Sequence, residues 1–125
     1  MTTKLLWIAL AGALGTLARY GLSKLVQEST DSLFPWGTLA VNVLGCLVFG
    51  VLCSAMGERF AVSPQTRIVL LVGFMGAFTT FSTFAFETGE FVREGSWLLA
   101  AGNVTASNVL GLGALFVGLA LGRMI

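Results

Sequence analysis

The sequence predicts an all-α integral membrane protein with four transmembrane helices, the third of them broken in its middle. Of its 125 residues, 56% are hydrophobic and 10% are charged, whereas a soluble domain carries about 25% charged residues. The mean hydropathy is +0.90. A membrane-spanning helix needs about 20 mostly apolar residues, so this length allows four spans. We expect a single transmembrane domain over residues 1–125.

The spans are apolar runs between short polar stretches. We expect them at about residues 5–26, 37–56, 65–91 and 97–121. The polar residues 27–32 predict the first loop. Pro35 and Trp36 mark the start of the second span, because proline suits a first helical turn and tryptophan collects at membrane surfaces. Ser63 and Pro64 mark the start of the third span in the same way.

The residues in the middle of the third span have low helix propensity. Between Gly73 and Phe84, twelve positions hold two glycines and four hydroxyl residues, which favour other conformations. Irregular backbone at membrane depth is tolerated where it is buried in protein or lines an aqueous cavity. Discontinuous helices also present backbone groups to ions. We therefore expect a functional break; the alternative is a continuous helix whose hydroxyls bond back to its own carbonyls.

Basic residues are divided almost evenly between the two sides of the membrane. Alternating spans give Lys4, Arg59, Arg67 and Arg123 on one side, and Arg19, Lys24 and Arg93 on the other. A Lys/Arg excess on the cytoplasmic side normally sets orientation, so this near balance allows both orientations. An antiparallel homodimer would then build the inverted repeat of many transporters from two copies of one short chain.

The composition excludes several classes of function. The net charge is +1 and the basic residues are scattered, so we expect no nucleic acid partner. The sequence has no histidine, and its two cysteines, Cys46 and Cys53, are too few for a zinc site and too far apart along a helix to bridge. We expect no enzyme, because the sequence offers neither a paired carboxylate nor a nucleophile with a base.

Uncharged polar side chains predominate within the spans. Thr38 and Asn42 share one face of the second span. The third span holds Thr79, Thr80, Ser82 and Thr83, and the fourth holds Asn103, Thr105, Ser107 and Asn108. Such groups replace part of the hydration shell of a small ion without fixing a charge. They also join helices to one another, and the sequence leaves both roles open.

A few charged and aromatic residues complete the set of candidates. Glu87 and Glu90 lie near the end of the third span; we expect them at the interface, with a pore mouth as the alternative for Glu87. Arg19 is close enough to the end of the first span to snorkel. Phe81 and Phe84 share a face just past the break, and the positive edges of their rings attract anions. The alternative places both rings in the core or against lipid.

One run in the third span is specific. It reads Gly76-Ala77-Phe78-Thr79-Thr80-Phe81-Ser82-Thr83-Phe84 and is followed by Glu87. This run resembles the central signature of the Fluc (CrcB) family of small fluoride channels. The similarity extends through the second span at 37–42, the first at 12–19 and the fourth at 108–111, and it covers essentially the whole chain in order.

The resemblance implies an antiparallel, dual-topology homodimer in the bacterial cytoplasmic membrane, whose two pores export fluoride passively and so reduce its toxicity. It implies that Phe81 and Phe84 line the pores and that Asn42 contributes to the same path. It also implies a structural sodium ion at the two-fold axis of the dimer, held by the backbone carbonyls of Gly76 and Thr79.

The remaining candidates complete the expected path. The resemblance matches Arg19 to the family's basic residue near the aqueous entrance. We add the uncharged side chains Thr38, Thr80, Ser82 and Asn108, with Ser107 as the alternative to Asn108, and we include Glu87.

The alternative function is a small multidrug-type exporter, which is also a four-span dimer. Such an exporter would carry a central glutamate in the first span, and residues 5–18 contain no carboxylate. A purely structural membrane subunit would give no reason for the polar break.

Overall fold

The computed structural model describes residues 2–58 and 60–125, so Arg59 of the charge comparison above lies outside the described residues. The elements are α1 (Thr2–Glu28), α2 (Trp36–Glu58), α3 (Pro64–Ile68), a π-helical segment (Val69–Met75), α4 (Gly76–Phe78), α5 (Phe81–Arg93) and α6 (Trp97–Met124). Four helical stretches, the third of them assembled from α3 to α5, are long and apolar enough to cross a membrane. The predicted all-α, four-span architecture is confirmed for the part of the chain that the structure describes.

The third span is interrupted where the sequence predicts a break. Thr79 (φ −86°, ψ 156°) and Thr80 (φ −147°, ψ 114°) are extended. They separate the short helix α4 from α5. The continuous helix considered as an alternative is therefore wrong. The π-helical segment that precedes α4 does not follow from the sequence, because its apolar residues suit an α-helix equally well.

The first loop begins later than the polar residues 27–32 predict, because α1 continues through two of them. Gln27, in the last turn of α1, uses its side chain to hold this loop. Its Nε2 donates to the carbonyl oxygens of Ser32 (3.1 Å) and Phe34 (3.2 Å), and its Oε1 accepts from the N–H of Gly37 (3.1 Å). Gln27 thereby ties the end of α1 to the start of α2.

Helices α2 and α6 form the most extensive packing contact in the chain. Glycines allow this approach. A Cβ added at Gly50 of α2 would overlap the carbonyl oxygen of Leu115, and one added at Gly118 of α6 would overlap that of Leu47. Small residues bring membrane helices close enough for backbone-to-backbone packing, which replaces the hydrophobic driving force that lipid removes.

Helix α1 packs against the π-helical segment and α4. A Cβ at Gly15 would overlap the carbonyl oxygen of Phe74, so α1 also depends on a glycine for its approach. The buried core beside this contact contains Val41, Met75 and Phe78. The rings of Phe74 and Phe78 stack with centroids 6.1 Å apart. This packing fixes the chain immediately before the break.

A tight turn joins α5 to α6. Gly95 has φ +73° and is the one residue with positive φ among those described. The amides of the turn bond back to the end of α5: the N–H of Gly95 donates to the carbonyl of Val92 (3.1 Å) and that of Ser96 to the carbonyl of Phe91 (2.8 Å). Glycine ends helices in this way because it adopts the left-handed region without strain.

We expect Gly118→Ala to destabilise the protein and Gly113→Ala, on the same helix, to leave it as stable or slightly more so. The added methyl group at residue 118 meets the backbone of α2, whereas residue 113 has open space around it. Overpacking of this kind costs about 1–3 kcal/mol, and alanine in an open helical position gains about 0.5–1 kcal/mol over glycine. Thermal unfolding in detergent measures both effects. A Gly118→Ala midpoint equal to that of wild type would contradict the packing described.

Candidate functional site

Asn42 of α2 holds the extended residue Thr80 by both ends of its side-chain amide. Its Oδ1 accepts from the N–H of Thr80 (2.8 Å), and its Nδ2 donates to the carbonyl oxygen of Thr80 (2.9 Å). Backbone groups at membrane depth need internal partners, because no water is present to satisfy them. The structure therefore places Asn42 at the break, where its amide substitutes for helical hydrogen bonds that the break removes.

The break releases the carbonyl oxygens of Gly76 and Thr79 from their usual helical partners. In a continuous α-helix, the N–H four residues further along donates to each carbonyl. For Gly76 that donor is Thr80, whose N–H bonds to Asn42 instead. For Thr79 it is Thr83, whose N–H bonds to the hydroxyl of Thr80 instead (3.2 Å). These are the two carbonyls for which the resemblance to the Fluc family implies a sodium ion.

The hydroxyl of Thr80 caps α5. Besides accepting from the N–H of Thr83, it donates to the Thr83 hydroxyl (2.9 Å). Threonine is favoured at such a position because its side-chain oxygen satisfies a free helical N–H. Ser82, which is exposed, has its hydroxyl 3.4 Å from that of Thr80. Thr80 and Ser82, both predicted site residues, therefore lie together at the start of α5.

Phe81 and Phe84 lie in the first turn of α5 with ring centroids 5.5 Å apart and planes tilted by 52°. Phe81 is 77% exposed in the single chain, and Phe84 is half-buried. Phe81 borders an open depression of about 350 Å³ together with Asn42, Cys46 and Thr79. The structure thus brings the two predicted phenylalanines together beside the break.

Arg19 and two of the uncharged candidates line one cavity of about 370 Å³. Its lining combines side chains of α1, α2 and α5: Thr16, Arg19, Tyr20, Ser23, Lys24, Gln27, Thr38, Val41, Thr80 and Thr83. This lining, made wholly of described residues, contains two cationic side chains and no carboxylate. The Nε atom of Arg19 is buried without a hydrogen-bond partner. Lys24 also pairs with Glu28 (3.8 Å), so the positive charge that favours an anion in this cavity comes mainly from Arg19.

Thr38 connects this cavity to Glu87. The buried Thr38 hydroxyl donates to Oε1 of Glu87 across 2.6 Å, while Oε2 of Glu87 is buried without a partner. Both residues also border a second cavity of about 390 Å³, along with Glu90 and Glu94. Glu87 therefore lies between α2 and α5 rather than at a free surface, whereas Glu90 pairs with Arg93 (2.6 Å).

Asn108 lies apart from the other candidates. It is exposed on α6, and its Nδ2 donates to the carbonyl oxygen of Val104 in its own helix (2.8 Å). It does not line any of the three cavities described above. Ser107, the alternative, is half-buried and donates to Oδ1 of Asn103 (3.4 Å).

Two connections near this site do not follow from the sequence. The composition of residues 27–32 predicts a loop, whereas the Gln27 amide lies at the end of α1 and organises the start of α2. The hydroxyl of Thr88 links α5 to Asn103 of α6 (2.9 Å). A threonine within a helix usually bonds to the carbonyl four residues earlier, so the sequence around Thr88 does not indicate this link.

Comparison with known proteins identifies the family. The family described as CrcB-like protein, Camphor Resistance (CrcB), matches residues 6–119. Proteins named fluoride-specific ion channel FluC are 52% identical in Nitrosococcus oceani, 53% in Desulforapulum autotrophicum and 54% in Solidesulfovibrio magneticus. Each alignment covers 100% of this chain and 100% of the relative.

These matches confirm the resemblance found in the third span. The relatives are named as ion channels, which agrees with the expectation that the chain is not an enzyme. The relatives come from bacteria. Together with the four apolar helices, they identify this chain as a multi-pass bacterial membrane protein. With whole-length identity at this level, the chain belongs to the CrcB family.

Proposed function

We propose that this chain is a fluoride-selective anion channel through which fluoride leaves the cytoplasm passively. The observation that carries the proposal is the pair Phe81 and Phe84 at a break in the third span, in a chain whose relatives are named fluoride-specific ion channels. Ring edges carry partial positive charge. They attract a small anion without binding it permanently, and conduction requires such weak binding.

The arrangement of charge supports an anion path. The cavity that contains Arg19 and Lys24 raises the local concentration of anions at one end. The Ser82 hydroxyl is exposed and can donate to an anion in place of water. The hydroxyl protons of Thr38 and Thr80 are donated to Glu87 and Thr83, so these two residues would have to give up those bonds to bind an anion. Asn42 contributes by holding the backbone of the break in position, because both ends of its amide are bonded to Thr80.

Passive export fits the chemistry of fluoride. Hydrogen fluoride crosses a membrane as the neutral acid and ionises inside the cell. The negative interior potential then drives the anion outward, with about 2.3 kcal/mol per charge for every 100 mV. A channel suffices for this purpose, and no proton-coupled carboxylate is needed. Such a channel in the bacterial cytoplasmic membrane would lower fluoride toxicity.

The exposed site supports an antiparallel homodimer. Phe81 is 77% exposed in the single chain, and Gly76 is exposed beside it in the same span. A second copy in the opposite orientation would cover these residues and complete two pores by symmetry. The near balance of basic residues on the two sides permits both orientations.

A structural sodium ion fits the centre of such a dimer. The carbonyl oxygens of Gly76 and Thr79 lose their helical donors to Asn42 and Thr80. Hard cations prefer oxygen ligands of this kind. Two copies would supply four carbonyl oxygens, each of which has lost the N–H that a continuous helix would give it.

Efflux from liposomes tests the proposed function. Purified protein in vesicles loaded with potassium fluoride should release fluoride once a potassium ionophore removes the opposing voltage, as read by a fluoride electrode. Vesicles loaded with potassium chloride should retain chloride. Retention of both ions by vesicles that contain folded dimer would contradict the proposal, and equal release of both would contradict selectivity.

Phe81→Ile should remove most of the fluoride flux, because isoleucine fills similar space without a polarised ring edge. Phe60→Ile is the matched control, since Phe60 is also exposed but lies outside the four spans. Efflux per dimer, with dimer content checked by size-exclusion chromatography, measures both variants. Normal flux through Phe81→Ile would exclude the ring-edge account.

Dimer assembly should depend on sodium, because the four carbonyl oxygens would otherwise meet without a positive partner. Protein dissociated to monomers is returned to buffers that contain sodium, potassium or choline, and cross-linking measures the yield of dimer. Starting from monomers ensures that no sodium ion is already trapped in an assembled dimer, where it could not exchange with the buffer. Equal yields in sodium and choline would rule out the sodium site.

A further inference from the structure

Three hydrogen bonds in series join α6 to the turn of α5 that carries Phe84. The hydroxyl of Ser107 donates to Oδ1 of Asn103 across 3.4 Å. Nδ2 of Asn103 donates to Oγ1 of Thr88 across 2.9 Å. The Thr88 hydroxyl donates to the carbonyl oxygen of Phe84 across 2.8 Å. All three bonds point the same way; the first is long and weak, whereas the other two have ordinary lengths.

Asn103 is buried more completely than the other polar side chains of the described chain. It is 1% exposed, against 7% for both Thr38 and Ser54. An amide at this depth costs free energy unless its groups are hydrogen-bonded, a cost that leucine would avoid. Both ends of the Asn103 amide are bonded here. The Asn103 amide therefore makes a specific connection at a position where an apolar side chain would avoid the free-energy cost of burying a polar group.

Helix α5 depends on such connections. It packs far less extensively against α2 and α6 than those two helices pack against each other. From α2, Asn42 holds its N-terminal end and Thr38 bonds to Glu87. From α6, the bond between Asn103 and Thr88 reaches its middle. Within the single chain, these hydrogen bonds therefore contribute a large part of what positions α5.

We propose that Asn103 and Thr88 are positioning residues for the Phe84 ring. The inference rests on the proposed function, because it gives that ring a role in conduction. Thr88 lies one turn beyond Phe84 and binds its carbonyl, so the bond from Asn103 fixes both the rotation of this turn and its distance from α6. Ring-edge attraction depends on direction. A shift of α5, which carries both Phe81 and Phe84, relative to α6 therefore changes the direction of the ring edges and weakens the path while the fold persists.

Four variants separate this role from general stability. Thr88→Val removes the hydroxyl and keeps the shape of the side chain, and Thr88→Ser, which keeps the hydroxyl, is its matched control. Asn103→Leu removes the amide at similar volume and suits a membrane interior. The double variant, Thr88→Val with Asn103→Leu, completes a cycle that tests whether the two residues act together.

Single-channel recording in planar bilayers measures the effect on conduction. The fluoride current through one open channel does not depend on how much of the sample folds. We expect Thr88→Val and Asn103→Leu each to lower this current by about half or more. The double variant should be no lower than either single variant, and Thr88→Ser should match wild type. A wild-type current in both Thr88→Val and Asn103→Leu overturns the inference.

Hydrogen exchange tests the connection between α6 and α5 independently of ion conduction. Amides of α5 from Phe84 to Phe91 should exchange about threefold faster in Thr88→Val and Asn103→Leu, the average effect of one interhelical hydrogen bond in a membrane protein. Unchanged exchange in both variants also overturns the inference. Absence of fluoride current in the wild-type protein contradicts the proposed function instead, and the exchange rates then decide whether the connection holds α5.

Discussion

The double hydrogen bond between the Asn42 amide and the backbone of Thr80 is the interaction on which the rest of the site depends. Two extended residues at membrane depth are costly, because their N–H and C=O groups have no water to bind. Asn42 satisfies both groups of Thr80 at once. This pairing allows a third span that stops and restarts. The extended residues in turn redirect α5, free the carbonyls of Gly76 and Thr79, and bring Phe81 to an open surface.

The remaining structure holds the two sides of the break in place. Before it, the packing of α1 against the π-helical segment anchors Met75 and Phe78 in the core. After it, individual hydrogen bonds hold α5 within the single chain, together with its contact with α6. The close α2–α6 pair supplies three side chains that hydrogen-bond to α5 or to its N-cap: Thr38, Asn42 and Asn103. A rigid pair thus supports a lightly packed helix that carries the proposed path.

The sequence predicts the spans and the break from composition over short distances. The glycines and hydroxyl residues near Thr79 and Thr80 disfavour a helix, although residues 102–113 of α6 have a similar composition and stay helical. The roles of individual side chains were harder to foresee. Phe78 and Phe81 share the same spacing pattern, yet one is buried and the other exposed, because the break between them turns the chain. The pairing of Asn103 with Thr88 depends on how two helices meet, which no local pattern specifies.

The turn at Gly95 has a mechanical consequence for the opposite end of α5. The turn fixes α5 to α6 at one end, and the 13 residues of α5 extend about 20 Å from it at 1.5 Å per residue. The bonds between Asn42 and Thr80 hold the other end, so α5 is anchored at both ends. Over this length, a tilt of about 3° about Gly95 would shift Phe81 by about 1 Å. The Asn42 amide therefore opposes a tilt that would move the aromatic pair.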